Sequence, residues 1–442
     1  MNRRQFLKTS LGAAVAAGTA PFAPGTLGAN EKFVVGVMGV GGRGRHLAGE
    51  LARRPEVEIA YVCDVDSRLF SKILPTVERL QGKRPQTTMD FRRILDDRDV
   101  DVLFIATPDH WHALPTILAC QAGKDVYVEK PIAHNVWEGR KMVEAARKYK
   151  RIVQVGTQNR SAPYVQAAVE YLRSGKLGEV HLVRVLNMKK RPSIGHKKDE
   201  PVPPGVDYDM WLGPAPKRPF NPNRFHYAWH WFWDYSGGDI VNDGVHQMDI
   251  ARWLIGRRYP QSIYATGGKF FFDDDQETPD TQHVLYDYDR LTMTFELTLW
   301  TPYLKKTPWD FRNTDQFPHW LFNATRIEVY GTKGLMIMGR HGGGWQVFGP
   351  EGKEMAAQPG RRPLNHHLDN FFACLKSRQR PNADLEEGHL STLLCHLGNI
   401  SYRLGGRKLV FDAQTETFLN DEEANRLLKR TYREPYVVPD KV

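Results

Sequence analysis

A glycine-rich hexapeptide near the start of the chain has the spacing that binds the pyrophosphate of a dinucleotide. An apolar β-type run, residues 33–38, leads into a G-x-G-x-x-G sequence, and a helical stretch, 46–53, follows it. Such glycines provide a tight turn, close approach of the backbone to phosphate, and close helix–strand packing. The helix N-terminus adds free N–H groups and a positive dipole end. We therefore expect this loop to bind a dinucleotide through Gly39, Gly41, Gly42, Arg43 and Gly44.

A carboxylate follows the next predicted strand, 57–63. Asp64 lies twenty residues beyond Gly44, where the fingerprint places an acidic residue. A carboxylate there accepts hydrogen bonds from the ribose hydroxyls and repels a 2′-phosphate, so it favours NAD over NADP. Asp66 is an alternative for this role, although its position beyond the strand end is more typical of a helix cap.

Alternating strands and helices continue the first domain. Apolar runs at 101–106, 125–128 and 151–155 predict strands, and helical stretches at 111–121 and 136–149 separate them. Such a series predicts a doubly wound parallel sheet with its ligand at the carboxyl ends of the strands. The polar and turn residues at those ends are predicted to contact the cofactor: Thr107, Pro108, Glu129, Lys130, Gln158 and Asn159.

Lys130 is the first candidate for proton transfer. Pro131 fixes the backbone directly after it, at the end of a predicted strand. A lysine beside a positively charged nicotinamide should have a lowered pKa, because like charges disfavour protonation. It could then move a proton while hydride moves at carbon. Alternatively, Lys130 contacts only a cofactor hydroxyl. Glu129 could hydrogen-bond either Lys130 or the ribose.

Four segments together resemble the glucose–fructose oxidoreductase/inositol dehydrogenase/MocA family. They are the glycine loop, Ala106-Thr107-Pro108 with His112 soon after, Glu129-Lys130-Pro131, and the stretch from Ser236-Gly237-Gly238 through His246 and Asp249. The resemblance runs from about residue 32 to about residue 407. It implies a Rossmann domain followed by an α/β domain whose large, open, mostly antiparallel sheet faces the nicotinamide. It also implies a cofactor contact from His112, sugar or polyol substrates, and homo-oligomers packed through that sheet.

The second signature carries the other catalytic candidates. The apolar spacing of 239–255 predicts a helix, on which Asn242 and His246 share one face. In the sugar dehydrogenases that the chain resembles, an Asp and a His at this spacing flank the reacting carbon. Asn242 replaces that Asp and can orient a hydroxyl but cannot carry a proton, and Asp243 points about 100° away on an ideal helix. We predict that Lys130, His246 and Asn242 are catalytic and that Asp243 also contacts substrate; alternatively, His246 is a packed helix residue.

An aromatic segment precedes that helix. Residues 225–233 contain six aromatic side chains and two histidines. Aromatic faces suit the C–H faces of sugar rings, and we expect Trp231 and Trp233 to contact substrate. A core or oligomer-interface cluster is the alternative interpretation.

The first 29 residues have the pattern of a twin-arginine signal. Arg3 and Arg4 precede Phe-Leu-Lys, a mildly apolar stretch and a small-residue end. Cleavage after Ala20 or after Ala29 fits this pattern. The twin-arginine machinery moves folded proteins, so the signal favours a tightly bound cofactor and a periplasmic or otherwise exported location. A chance basic start on a disordered arm is the alternative.

Composition excludes several other classes. The chain has 442 residues and a formal net charge of +10, which falls to +7 without Arg3, Arg4 and Lys8. This modest, dispersed excess does not indicate a nucleic-acid partner. No apolar run reaches 18 residues, so stable membrane insertion is not expected. Four cysteines do not form a disulfide framework, and no cluster has metal-ligand spacing.

These patterns predict four segments: a signal peptide at 1–29, an NAD-binding Rossmann domain at 31–156, a substrate-binding and oligomerisation α/β domain at 157–406, and a tail at 407–442. In the second domain, runs at 180–186, 283–288, 291–299 and 326–330 suggest strands. Two helices, 365–376 and 387–404, are expected to return to the first domain. The charged tail could embrace another subunit.

The leading functional hypothesis is an exported NAD-dependent oxidoreductase that acts on a sugar, polyol or glycoside hydroxyl. An NAD-dependent glycosidase that oxidises its sugar transiently and eliminates the glycoside is the second. The glycosidase motif Thr-His-Gly does not occur in the chain. A non-catalytic binding protein that retains NAD is the third.

Overall fold

A computed structural model describes residues 32–442. The predicted signal peptide, 1–29, lies outside the described residues. Within 32–442 no helix is long and apolar enough to cross a membrane. The chain forms two sheets with helices packed on them.

The first sheet has six parallel strands in the order β3-β2-β1-β4-β5-β6. This is the strand order of a dinucleotide-binding Rossmann fold, so the predicted doubly wound sheet is confirmed. Strands β4 and β5 are buried along their whole length, because helices cover both faces. The strands are β1 (Phe33–Met38), β2 (Val57–Cys63), β3 (Gln86–Thr88), β4 (Val102–Ile105), β5 (Asp125–Val128) and β6 (Val153–Val155).

Five helices connect these strands. The expected helix at 111–121 starts later, since a 3₁₀ turn over Asp109–Trp111 precedes it. Two helices and β3 were not predicted. β3 has three residues and one of the helices five, whereas the other, Phe70–Gln81, has the apolar spacing of an amphipathic helix. The helices are α1 (Gly42–Leu51), α2 (Phe70–Gln81), α3 (Arg92–Asp96), α4 (Ala113–Gln121) and α5 (Val136–Lys148).

The second sheet has ten strands in the order β14-β13-β12-β11-β7-β10-β9-β8-β15-β16. Only β7 and β10 run parallel, so the predicted mostly antiparallel sheet is confirmed. Alternate residues of β9 are buried, as expected for a sheet covered on one face. The strands are β7 (Val180–Met188), β8 (Ser262–Gly268), β9 (Thr281–Tyr288), β10 (Leu291–Thr298), β11 (Arg326–Gly331), β12 (Gly334–Gly339), β13 (Trp345–Phe348), β14 (Glu354–Gln358), β15 (Leu409–Asp412) and β16 (Thr417–Phe418).

Two late helices join the domains, as predicted. Phe371 and Phe372 of α9 pack on Phe104 of β4, and α10 packs on α5. The remaining helices are α6 (Pro163–Arg173), α7 (Tyr208–Leu212), α8 (Val245–Ile255), α9 (Leu364–Ser377), α10 (Leu385–Arg403) and α11 (Glu422–Arg426).

The C-terminal segment differs from the predicted tail. Strand β15 pairs with β8, so the second sheet continues past residue 406. The ring of Tyr436 packs 5.4 Å from that of Trp111, and Lys148 hydrogen-bonds the carbonyl of Val442. The segment therefore packs on its own first domain rather than reaching out from it.

All four cysteines are buried as free thiols: Cys63, Cys120, Cys374 and Cys395. Burial raises the pKa of each thiol. This agrees with the prediction that no disulfide framework holds the fold.

Candidate active site

A cavity of about 650 Å³ lies between the carboxyl ends of the first sheet and the second domain. The glycine loop and the ends of β2, β4 and β5 form one side, and the start of α8 forms the other. The cavity brings together most of the predicted site residues: Gly39, Gly41, Gly42, Arg43, Asp64, Thr107, Pro108, Glu129, Lys130, Gln158, Asn159, Asn242, Asp243 and His246.

The glycine loop has the geometry that a dinucleotide requires. A Cβ on Gly44 would lie 1.7 Å from the carbonyl oxygen of Gly39, so Gly44 provides the close packing of α1 on the loop and does not line the cavity. Gly39 has φ +82°, which glycine adopts readily. A Cβ on Gly41 or Gly42 would meet no described atom within 4 Å, which leaves the backbone open to a phosphate.

Asp64 lies at the end of β2, beside the glycine loop. Its Oδ2 accepts a hydrogen bond from the backbone N–H of Val40 at 2.7 Å, and its Oδ1 accepts one from Asp66 at 3.0 Å. Burial raises the pKa of this carboxyl to about 6. The carboxylate is thus fixed beside the glycine loop, at the position predicted for the ribose contact. The alternative, Asp66, caps the turn Ser67–Leu69 and pairs with Arg68 at 2.7 Å.

Glu129 pairs with Arg43 rather than with the ammonium of Lys130. Arg43 Nε lies 2.7 Å from Glu129 Oε1, and the Glu129 side chain is buried. Burial raises the pKa of this carboxyl, but the charges of Arg43 and Lys130 outweigh it and the net shift is downward. An ionised Glu129 fixes Arg43 at the first turn of α1, beside the predicted pyrophosphate position.

His112 does not reach the cavity, which corrects its predicted role as a cofactor contact. The ring is fully buried, with Nδ1 2.6 Å from the carbonyl oxygen of Pro131 and Nε2 3.0 Å from that of Thr107. It therefore braces the two loops that follow β4 and β5. Sequence proximity to Thr107 could not distinguish this bracing role from direct contact.

Lys130 connects the two sides of the cavity. Its Nζ donates a hydrogen bond to the backbone carbonyl of Asn242 at 2.7 Å and lies 3.5 Å from Asn242 Oδ1. Burial lowers the pKa of this amine, and Arg340 lowers it further, against the opposing charges of Glu129, Asp109 and Asp243. The pKa of Lys130 is therefore lowered, as expected, by the protein alone, and the main cause is burial.

The predicted helix at 239–255 begins with a π turn, Ile240–Gly244, before α8. The wider turn changes the angular spacing of the side chains. Asn242 and His246 both line the cavity, and so does Asp243, which an ideal helix would direct away. Asn242 is held in place by Asp239, whose Oδ1 accepts from its Nδ2 at 3.0 Å.

Asp243 is surrounded by four cations that the sequence did not identify. Its carboxylate lies 2.7 Å from Lys189 Nζ, 2.5 Å from Lys306 Nζ and 3.5 Å from Arg191 Nη2, and it also contacts Arg340. Burial opposes ionisation, but these cations hold the pKa of Asp243 well below its usual range. Lys189 and Arg191 lie in the loop after β7, Lys306 lies in the loop after β10 and Arg340 directly follows β12, so no sequence spacing relates all four.

His246 is buried, and its Nδ1 has no hydrogen-bond partner among the described residues. Burial and the charges of Arg340 and Lys130 hold its pKa well below the usual range of histidine. The imidazole is therefore neutral around pH 7. It can hydrogen-bond a substrate hydroxyl through the cavity that it lines.

The aromatic segment forms a 3₁₀ turn over His226–Trp231, and this corrects the predicted substrate contacts. Tyr227, Trp229 and His230 line the cavity. Trp231 is buried beneath Arg191, with the guanidinium 5.7 Å from its ring, and Trp233 faces a second cavity beside Arg403. A 3₁₀ helix has three residues per turn, so neighbouring side chains point to different surfaces. The aromatic side chains of this segment therefore cannot all face one ligand.

Three arginines that no sequence pattern identified also line the cavity: Arg312, Arg340 and Arg362.

Within residues 32–442 no group of three or more His, Cys, Asp or Glu side chains could hold a metal ion. The open glycine backbone, the Asp64 carboxylate and the Arg43–Glu129 pair fit a dinucleotide.

Comparison with known proteins agrees with this fit. A family described as "Oxidoreductase family, NAD-binding Rossmann fold" matches residues 33–157. Its companion, "Oxidoreductase family, C-terminal alpha/beta domain", matches residues 190–291 and 336–438. A twin-arginine translocation signal matches residues 1–20.

Individual relatives are distant. The "uncharacterized oxidoreductase YrbE" of Bacillus subtilis is 24% identical over 304 residues, 69% of this chain and 73% of that protein. The WlbA dehydrogenase of Bordetella pertussis, solved with NADH and UDP-GlcNAcA, has a TM-score of 0.63 at 22% identity and covers 86% of this chain and 99% of its own. Levoglucosan dehydrogenase, solved with NADH and levoglucosan, has a TM-score of 0.62 at 18% identity, with 86% and 99% covered.

Both domains and the NAD-type loop therefore agree with one assignment: the chain belongs to the glucose–fructose oxidoreductase/inositol dehydrogenase/MocA family of oxidoreductases.

Proposed function

We propose that this protein is an exported, NAD-dependent dehydrogenase that oxidises a hydroxyl-bearing carbon of a carbohydrate, with Lys130 as the group that takes the hydroxyl proton. The observation that carries the proposal is the position of Lys130. Lys130 follows the carboxyl end of β5, on the cofactor side of the cavity, and its Nζ reaches Asn242 on the opposite side. A substrate between the two sides would lie beside it.

Oxidation of a carbinol separates a hydride from a proton. Bound NAD supplies the hydride acceptor. The protein must therefore supply the proton acceptor within hydrogen-bond reach of the hydroxyl. Four side chains of the cavity are candidates: Lys130, Asp109, Asp243 and His246.

Electrostatics selects Lys130 among these candidates. Asp243 is stabilised as a carboxylate by four cations, and a carboxyl with so low a pKa is a weak base. The pKa of His246 is also held well below its usual range, so its neutral ring is a weak base that serves as a hydrogen-bond partner. Burial raises the pKa of Asp109 to about 7, but this carboxyl is 2% exposed and accepts from Ser236 Oγ. Burial lowers the pKa of Lys130, which makes its neutral amine available as a base, and its Nζ reaches Asn242 across the cavity.

Asn242 positions that base. Its backbone carbonyl accepts from Lys130 Nζ, and its amide nitrogen is anchored on Asp239. The side-chain oxygen, 3.5 Å from Nζ, is free to accept from a substrate hydroxyl as well. Asn242 thus replaces the acidic residue of the family motif with a neutral orienting group.

NAD is preferred to NADP in this proposal because of Asp64. An ionised carboxylate at the end of β2 accepts hydrogen bonds from the ribose hydroxyls and repels a 2′-phosphate. Carbohydrate is favoured because structural relatives are described with levoglucosan and with UDP-GlcNAcA, and because the aromatic side chains Tyr227 and Trp229 line the cavity.

The twin-arginine match supports the proposed export. That machinery carries folded proteins, so the cofactor would be loaded before transport. A periplasmic enzyme that retains NAD through the glycine loop is the consequence we propose.

The test is the rate of Lys130→Ala beside its NADH affinity, with the exposed Lys72→Ala on α2 as the matched control. Removing a positioned base should lower kcat by roughly 10²–10⁴. NADH affinity should change little, because the glycine loop and Asp64 supply most cofactor contacts. A near-normal rate would remove Lys130 from the mechanism, and equal loss of rate and of NADH would make it a cofactor contact. Glycoside cleavage without net NADH formation would indicate the glycosidase, and neither activity the binding protein.

A further inference from the structure

The second-domain side of the cavity contains more buried positive charge than its carboxylates balance. Arg340 lines the cavity, and Lys189, Arg191 and Lys306, which do not line it, lie with Arg340 around the carboxylates of Asp239 and Asp243. The side chains of Lys189 and Arg340 are 5% and 6% exposed. Buried charge without a partner is costly, so an excess of cations over carboxylates beside a ligand cavity favours the arrival of an anion.

Arg312 adds to this excess. It lines the same cavity, its Nε donates to the carbonyl of Thr307 at 2.9 Å, and its guanidinium lies 5.4 Å from the ring of Trp309. It forms no ion pair with a carboxylate of residues 32–442. Burial and the neighbouring charges of Arg362 and Arg340 lower its pKa, so these guanidiniums repel one another across the cavity.

Two buried ring nitrogens lie near these cations without partners in the described chain. They are Nδ1 of His246 and Nε2 of His341, and both residues line the cavity. Lys306 gives a matching indication, because burial and the charges of Lys189, Arg340 and Arg191 lower its pKa to about 7 despite its contact with Asp243. The region would be stabilised by one further negative group.

We propose that the carbohydrate substrate carries an anionic group, a carboxylate or a phosphate ester, and that Arg312 and Arg340 bind it at the second-domain side of the cavity. This rests on the proposed dehydrogenase function. Arg340 contacts Asp243, the neighbour of Asn242, so the anionic group lies close to the reacting carbon but on the side away from the glycine loop. Charge-assisted hydrogen bonds from arginine would fix the sugar for attack at one carbon.

Arg362 is separate from this site. It lines the cavity beside α1 and interacts electrostatically with Arg43, so it belongs with the cofactor phosphates. Arg312 stands between Arg362 and Arg340, since its backbone carbonyl accepts from the Arg362 N–H at 3.0 Å. The Arg312→Gln variant therefore separates a role toward substrate from a role toward cofactor.

Calorimetric titration of the NADH-loaded protein with matched sugars gives the first arm. Glucose is compared with glucuronate and glucose 6-phosphate, and galactose with galacturonate. We expect the anionic member of at least one pair to bind at least tenfold more tightly than its neutral partner. A carboxylate and a phosphate ester are told apart by which one binds. Equal or tighter binding of the neutral sugars, or no binding of any anion at millimolar concentration, would overturn the proposal.

Arg312→Gln gives the second arm, with Arg361→Gln as the matched control. Arg361 is the sequence neighbour of Arg362, but its side chain is 63% exposed and pairs with Asp315 at the surface. Arg312→Gln should reduce the preference for the anionic sugar at least tenfold, and Arg361→Gln should leave it unchanged. Loss of NADH affinity in Arg312→Gln with the sugar preference intact would assign Arg312 to the cofactor and refute its proposed role.

The two proposals fail in different ways. If the protein does not bind NADH, the dehydrogenase function itself is wrong. If it binds and reduces NAD with neutral sugars as readily as with acidic ones, only the anion proposal is wrong.

Discussion

The two sides of the cavity are built on different principles. The cofactor side consists of backbone conformations at the ends of adjacent parallel strands, and its buried carboxylate Glu129 is paired with Arg43. The substrate side consists of long side chains from distant segments, and its cations outnumber its carboxylates. The first side fits a ligand that is the same in every cycle. The substrate side is defined by its charged side chains, and we expect these to differ between enzymes that act on different substrates.

Gly44→Ala should have the largest effect on the cofactor side. The new Cβ would overlap the carbonyl of Gly39, so α1 must shift and NADH affinity should fall at least a hundredfold. Gly49→Ala on the same helix is the control, because its Cβ would meet only the end of Arg53 at 3.7 Å. Fluorescence titration with NADH measures both. Equal affinity in the two variants would contradict the packing role of Gly44.

Asp243→Asn should have the largest effect on the substrate side. It removes one of two carboxylates from a buried group of four cations, and breaking buried pairs costs roughly 3–5 kcal/mol. Thermal and urea unfolding should show this loss, whereas Asp315→Asn in a surface pair should cost about 0–1 kcal/mol. A native-like stability for Asp243→Asn would show that the cations do not depend on this carboxylate.

The contrast also explains what the sequence could predict. The strand, the glycine loop and the position of Asp64 follow from local spacing, and the structure contains them. The helix after the loop begins at Gly42, earlier than the predicted 46–53, because its first turn includes the glycine motif itself. The partners of Asp243 lie up to 97 residues away, and no periodicity connects them.

The sequence did not predict the π turn either, because Ile240–Gly244 has the apolar spacing of an ordinary helix. It changed which side chains face the ligand. Trp231 and Trp233 were misplaced for a similar reason, since a 3₁₀ turn was not distinguishable from a continuous aromatic run.

A moderate effect is expected for Asp64→Ala. Loss of the carboxylate removes ribose hydrogen bonds and the repulsion of a 2′-phosphate, so the ratio of NADPH to NADH dissociation constants should fall by about tenfold or more. Asp66→Ala is the control, since Asp66 pairs with Arg68. Dissociation constants for both cofactors decide the point. Equal preference for NADP in the unmutated protein would refute the role of Asp64.

The smallest effect concerns pH. The pKa of Asp64 is raised to about 6, so its ribose-accepting ionised form dominates above that pH and is lost below it. NADH affinity should therefore fall as the pH drops from 7 to 5, by up to about tenfold per unit below the pKa. Asp64→Asn should remove most of this dependence. A flat profile in the unmutated protein would show that binding does not need the charge.

The buried thiols give this protein an internal reporter of opening. Their raised pKa values and their burial protect Cys63, Cys120 and Cys395 from alkylation while the fold is closed. Cys63 also borders the cavity, and Cys395 lies in α10, which joins the domains. Alkylation of Cys63 would therefore report opening of the cofactor side, and alkylation of Cys395 would report separation of the domains. The order of the two reactions would show which event comes first, without any introduced cysteine.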